Sequence, residues 1–170
     1  MARTMKRITT ILSLLLAVSA LADDRVFELR IYTAAESKLA ALNARFRDHT
    51  CKLFEKHGLT NVGYWVPVDK SDSRLIYVIS SPNRAAHKKS WQGFLNDPNW
   101  KKAYAASTKN GRLVAKIDST FLSATDYSPA VKPVITKNIR VFELRTYVTA
   151  ENRLKNLHAR FREHTCKIFE

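Results

Sequence analysis

The chain has 170 residues, 45% hydrophobic and 26% charged, with only 4 Gly and 5 Pro, a balance that excludes wholesale disorder and low-complexity structure. The formal net charge is +14, but Lys and Arg are dispersed along the chain and form no basic tail or block, so they read as solvated faces and no nucleic acid is expected as a partner. The two cysteines, Cys51 and Cys166, lack a C-x-x-C or C-x-x-H neighbour, which argues against a metal site or thiol redox chemistry and favours free thiols.

At the N-terminus Arg3, Lys6 and Arg7 precede an apolar or small run from Ile8 to Ala20, and Ala20, Leu21 and Ala22 form an A-x-A cleavage site. This predicts a signal peptide over 1–22 and a periplasmic or secreted protein. The run is shorter than the ~20 residues that span a bilayer and meets Asp23, Asp24 and Arg25 at once, so no transmembrane segment is expected in the mature chain. Cleavage removes three cations and leaves a formal charge of +11 (14 − 3).

Val26 to Tyr32 alternates as a strand, with Phe27, Leu29 and Ile31 on one face and Glu28, Arg30 and Tyr32 on the other. Leu39, Leu42, Phe46 and Leu53 recur at helical spacing between Ser37 and His57, and Gly58 supplies the stop. Val62 to Val66 and Leu75 to Ile79 read as a hairpin across Pro67, Asp69, Ser71 and Asp72. Ser81 is expected to cap a helix with Pro82 at its first position, and Asp97 and Pro98 open another. Trp91, Phe94, Trp100 and Tyr104 lie at helical spacing within these two and read as packing residues. A last strand is expected from Lys116 to Leu122.

The order β-α-β-β-α-β is the α+β, ferredoxin-like arrangement, with helices on one sheet face and the other left to pair with a tandem copy or an identical chain. A tandem copy is indeed begun. Residues 25–55 and 140–170 align without a gap at a period of 115 (140 − 25), and about two thirds of the positions are identical. The expected organisation is a signal peptide at 1–22, a complete domain at 23–128, a linker at 129–139 and a truncated second copy at 140–170. A lone β-α unit cannot bury both of its apolar faces, so the second copy should fold poorly unless it docks elsewhere.

The run VFELRIY, the stretch FRDHTCKLFEKHGLTNVGYW, the DPNW motif at Asp97 to Trp100 and the closing TDYSP resemble, in this order, the NIPSNAP family. The resemblance covers residues 25–128. It implies a ferredoxin-like domain of the dimeric α+β barrel type, assembling through the sheet face, and it implies no agreed catalytic reaction. The fold also serves small-molecule monooxygenases, haem proteins and non-enzymatic members, so function does not follow from it. Eukaryotic relatives are associated with mitochondria and membrane traffic, and the export signal departs from that.

If Phe27, Leu29 and Ile31 meet the helices, then Glu28, Arg30 and Tyr32 line the barrel interior with Tyr64 or Trp65. There Arg30 would hold an acidic ligand through its planar fork, Tyr32 would donate a hydrogen bond and an aromatic wall would pack the rest. The plainer alternative is that Glu28 and Arg30 form ion pairs that only fix the interface. His57 before Gly58 is explained by the helix C-terminus, and neither His49, His57 nor His87 has a nucleophile at a spacing that demands a base. No phosphate loop, H-E-x-x-H, G-x-S-x-G or haem or flavin signal is present, so no catalytic residue, metal or cofactor is expected. The leading expectation is a non-catalytic binding or assembly module. The alternative is a monooxygenase-like small-molecule enzyme using Arg30, Tyr32 and Trp65, and the third is an electrostatic binder of anionic polymer or lipid.

Overall fold

The computed structural model of the protein describes residues 24–130 and 140–169. The expected signal peptide over 1–22, and the linker from residue 131 onward, lie outside the described residues.

Strand β1, Val26–Ala34, is the centre of the fold. It is followed by a helical stretch made of α1 (Leu39–Arg45), a π-helical segment (Phe46–Thr50) and α2 (Cys51–Lys56). Strands β2 (Thr60–Trp65) and β3 (Arg74–Ser81) form the hairpin. Helices α3 (Arg84–Asn96) and α4 (Pro98–Thr108) lead to β4 (Val114–Ser123). The sheet runs β2-β3-β1-β4 with every neighbouring pair antiparallel, the ferredoxin-like fold of the dimeric α+β barrel type. No helix among the described residues is long and apolar enough to cross a membrane.

The helix boundaries have local causes. Ser37 adopts φ 57°, a left-handed turn that delays the helix to Leu39. The α3 cap is Asn83 and not the expected Ser81, because Pro82 sits before the helix and the Asn83 side chain reaches the Ala86 amide at 2.8 Å. Asp97 behaves as its sequence suggests, accepting from the Asn99 amide at 2.8 Å with Pro98 at the first position.

The covered face of the sheet is the reverse of the expected one. Val26, Glu28, Tyr32 and Ala34 are buried under the helices, together with Leu75, Tyr77 and Ile79 of β3. Phe27, Leu29 and Ile31 lie on the open face, half-buried, with Ile76 and Val78 as register neighbours. Alternation fixes that the two sets oppose one another, and the partners each face finds decide which is covered. Tyr32 meets Phe46 and Tyr77 edge to face at 5.9 and 5.3 Å, and Glu28 is matched by Arg30 and by hydrogen-bond donors from α3 and β4. Leu42, Phe54, Leu59 and Phe94 complete the core, with the Phe54 and Phe94 rings 4.7 Å apart.

The second copy keeps its helix and loses its strand. Residues 140–150 carry no strand, whereas α5 (Leu154–Arg160), a π-helical segment (Phe161–Thr165) and α6 (Cys166–Phe169) repeat the first helix, down to a left-handed Asn152 at φ 58°. β1 is a strand because β3 and β4 flank it, and residues 140–150 have no such partners among the described residues. The repeated helix docks on the end of the first domain. The Tyr127 hydroxyl lies 2.7 Å from His158 Nδ1, and Arg162 grips Asp126 through two bonds of 2.7 and 2.8 Å. Cys51 and Cys166 form no disulfide.

Candidate functional site

A cavity of about 560 Å³ lies between the sheet and its helices and opens past the edge strand β4. β1 supplies Arg30 and Tyr32, the first helix supplies Arg45 and Phe46, and Trp91, Trp100 and Tyr104 form much of its aromatic wall. Its mouth lies where Tyr104 and Ile117 are about half exposed.

The π-helical segment bears on Arg45. The extra residue in the turn directs the Thr50 hydroxyl to the Arg45 carbonyl at 3.2 Å, an arrangement often found at functional sites. Arg45 is only 5% exposed. Its guanidinium donates to Ser107 Oγ at 3.2 Å and lies 5.4 Å from both the Trp100 and Tyr104 ring centres. Its Nε has no hydrogen-bond partner, and no carboxylate pairs with it among the described residues. Burial pushes its pKa down, although guanidinium stays charged across the accessible pH range.

Arg30 is differently placed. It pairs with Glu28, donates to the Tyr32 hydroxyl at 3.2 Å and lies 4.6 Å from the Trp91 ring centre. Glu28 is buried and further held by Trp91 Nε1 at 3.2 Å and by the Ser119 hydroxyl. His87 Nε2 approaches the same carboxylate at 3.0 Å, off the line of a hydrogen bond, while its Nδ1 lies 3.2 Å from Ser81 Oγ. Burial alone would push the Glu28 carboxyl up, but His87, Ser119 and the Arg30 charge outweigh it and hold it at about 2, below its ordinary 4.5. A second, more open cavity of about 510 Å³ touches Glu28, His87, Arg84 and Phe121, and shares Arg30 and Trp91 with the first.

Of the five residues expected to line one pocket, the structure brings together Glu28, Arg30 and Tyr32, but under the helices and not in a barrel interior. Tyr64 is on the same side of the sheet, stacked on Tyr77 at 5.4 Å and bonded to Asn61, away from the cavity. Trp65 lies on the opposite face, folded over Gly63 and 5.7 Å from Phe142 of the second copy. Successive strand residues point to opposite faces, so Tyr64 and Trp65 are not interchangeable as a wall.

Sequence reasoning missed Arg45. The available signal was a cation inside an apolar stripe, between Leu42 and Phe46 and beside Thr50, with Arg160 at its place in the second copy. His57, expected to serve only its helix end, also pairs with Asp97 at 2.8 Å, and Lys56 joins at 2.7 Å. His49 is exposed.

The sequence profile of the NIPSNAP family matches residues 27–129. No curated protein matches the chain. Among solved structures, an uncharacterized NIPSNAP-like domain protein from Burkholderia xenovorans superposes with a TM-score of 0.57 at 13% identity, covering 68% of this chain and 97% of that one. A NIPSNAP family protein from Agrobacterium tumefaciens str. C58 gives a TM-score of 0.55 at 18% identity over 62% of this chain and 97% of its own. At these identities the likeness is one of fold.

Proposed function

This chain belongs to the NIPSNAP family, and on that premise we propose that it is an exported, non-catalytic module that binds a small organic ligand in its sheet–helix cavity and self-associates through its open sheet face. The observation that carries the binding reading is the cavity itself. At about 560 Å³ it falls within the range of small-molecule sites, and its lining joins aromatic walls to two guanidinium groups, of which that of Arg45 is buried.

Those groups hold and orient a ligand, which supports binding over chemistry. The enzymatic alternative asks for an Arg30 free to take a substrate, and Arg30 is engaged by Glu28. Self-association draws on the half-buried apolar row of Phe27, Leu29, Ile31, Ile76 and Val78 on the uncovered face. Export draws on the basic, apolar and A-x-A features of residues 1–22, and the mass of the mature protein should correspond to a chain beginning at Asp23.

The test of the binding reading uses a neutral aromatic probe, N-phenyl-1-naphthylamine, with the mature chain. One equivalent should bind and quench tryptophan fluorescence, and Val114→Trp, which fills the cavity, should abolish it. Absence of binding to the folded wild-type chain, or binding unchanged in Val114→Trp, overturns the reading.

A further inference from the structure

We propose that the cavity is selective for an aromatic monocarboxylate, whose carboxylate is taken by Arg45. This rests on the ligand-binding reading of the same cavity and names the class of ligand. Three cations line the cavity, and two are already matched: Arg30 by Glu28, and Lys116 by Asp118 at 2.9 Å. Arg45 is the third, and no carboxylate pairs with it among the described residues.

A buried guanidinium without a counter-ion is costly unless something supplies the charge. Arg45 has one bond to a neutral hydroxyl, two aromatic faces at 5.4 Å and an Nε–H with no acceptor. The planar fork still has donors to offer, and a carboxylate accepts two of them in parallel. One unmatched charge calls for a ligand of charge −1. A phosphate or dicarboxylate would bring a second negative charge that no unmatched cation here meets.

The body of the ligand follows from the walls. Trp91, Trp100, Tyr104 and Phe46 offer ring faces and edges, which favour an aromatic partner over a sugar or a flexible polar chain. The half-exposed Tyr104 and Ile117 at the mouth provide the way in.

The test compares 2-naphthoate, its neutral isostere 2-naphthamide and inorganic phosphate by titration calorimetry on the mature chain, wild type and Arg45→Gln. The expected result is naphthoate binding at least about tenfold tighter than naphthamide, a difference of about 1.4 kcal/mol or more, with phosphate not bound. Arg45→Gln should erase the preference. If Arg45→Gln does not fold, Arg45→Lys, which keeps the charge and loses the planar fork, takes its place and should weaken the naphthoate preference at least about threefold; an unchanged preference overturns the assignment to Arg45. Equal binding of naphthoate and naphthamide overturns the carboxylate assignment and leaves the cavity reading standing. Preference for phosphate, or a naphthoate preference that survives in a folded Arg45→Gln, overturns the assignment to Arg45. If the neutral probe also fails to bind, the cavity reading falls as well.

Discussion

Glu28 and Arg30, two residues apart on one face of β1, form an ion pair beneath α3 and not across an interface. Glu28 is the hub, since Trp91, Ser119 and His87 also converge on it. Its carboxyl is held at about 2 against an ordinary 4.5. A depressed carboxylate stabilises the fold above its ordinary pKa, and that contribution is lost as pH falls through the folded value. Stability of the wild type should therefore fall between pH 4.5 and about 2, by on the order of 2 kcal/mol from this group after allowance for solvent screening. Glu28→Gln should be less stable at pH 7 and show a flatter profile across that window in urea unfolding. An unchanged slope in the variant would assign the acid sensitivity to other groups.

Tyr77 is fully buried at the centre of β3, and its hydroxyl has no aligned hydrogen-bond partner. Burial pushes its phenol pKa well up, so the group stays neutral. An unsatisfied buried hydroxyl contributes nothing that its removal would lose. Tyr77→Phe should be neutral or stabilising by up to about 1 kcal/mol, whereas Phe54→Ala, which empties the same core, should cost about 3–5 kcal/mol. Chemical denaturation of both variants checks the contrast, and a strongly destabilised Tyr77→Phe would show that the hydroxyl has a partner after all.

Gly93, inside α3, is a position where alanine should fail. Alanine in a helix interior normally gains up to about 1 kcal/mol over glycine. A Cβ here would lie 2.7 Å from His57 Nδ1, and that ring is fixed from its far side by Asp97 at 2.8 Å. The imidazole cannot withdraw without giving up its bond to Asp97, which with that of Lys56 ties the end of α2 to the start of α4. Gly93→Ala should cost on the order of 1–3 kcal/mol. His57→Ala should remove most of that penalty in the double variant. Additive losses would place the strain elsewhere in α3.

Element order and sheet topology were legible because strand alternation, helical spacing and the Asp97–Pro98 start are local signals. The orientation of β1 was not, because Phe27, Leu29 and Ile31 look like a core stripe, while the face that is covered carries Glu28, Arg30 and Tyr32. Only the convergence of Trp91, His87 and Ser119, 63, 59 and 91 residues further along the chain (91 − 28, 87 − 28 and 119 − 28), makes that face the cheaper one to bury. Arg45 was hidden for a related reason. Its burial depends on Trp100 and Tyr104, which come from a helix distant in sequence.

The hexapeptide RVFELR occurs twice, at 25–30 and 140–145, and the fold treats the two copies oppositely. In the first, residues from Val26 onward are laddered on both sides by β3 and β4. In the second no ladder forms, and Val141 is 81% exposed where its counterpart Val26 is buried. Intrinsic exchange chemistry is nearly the same for identical sequences, so hydrogen exchange isolates the tertiary context. Amides of 26–30 should open only with the domain and be protected by about a thousandfold or more, while those of 141–145 should exchange near the free rate. The Phe142 contact with Trp65 adds one aromatic edge and no backbone bond, too little to change that order. Strong protection of 141–145 in the full chain would mean that this strand finds a sheet edge in a second copy. The partial repeat would then be part of the assembly and not an appendage to it.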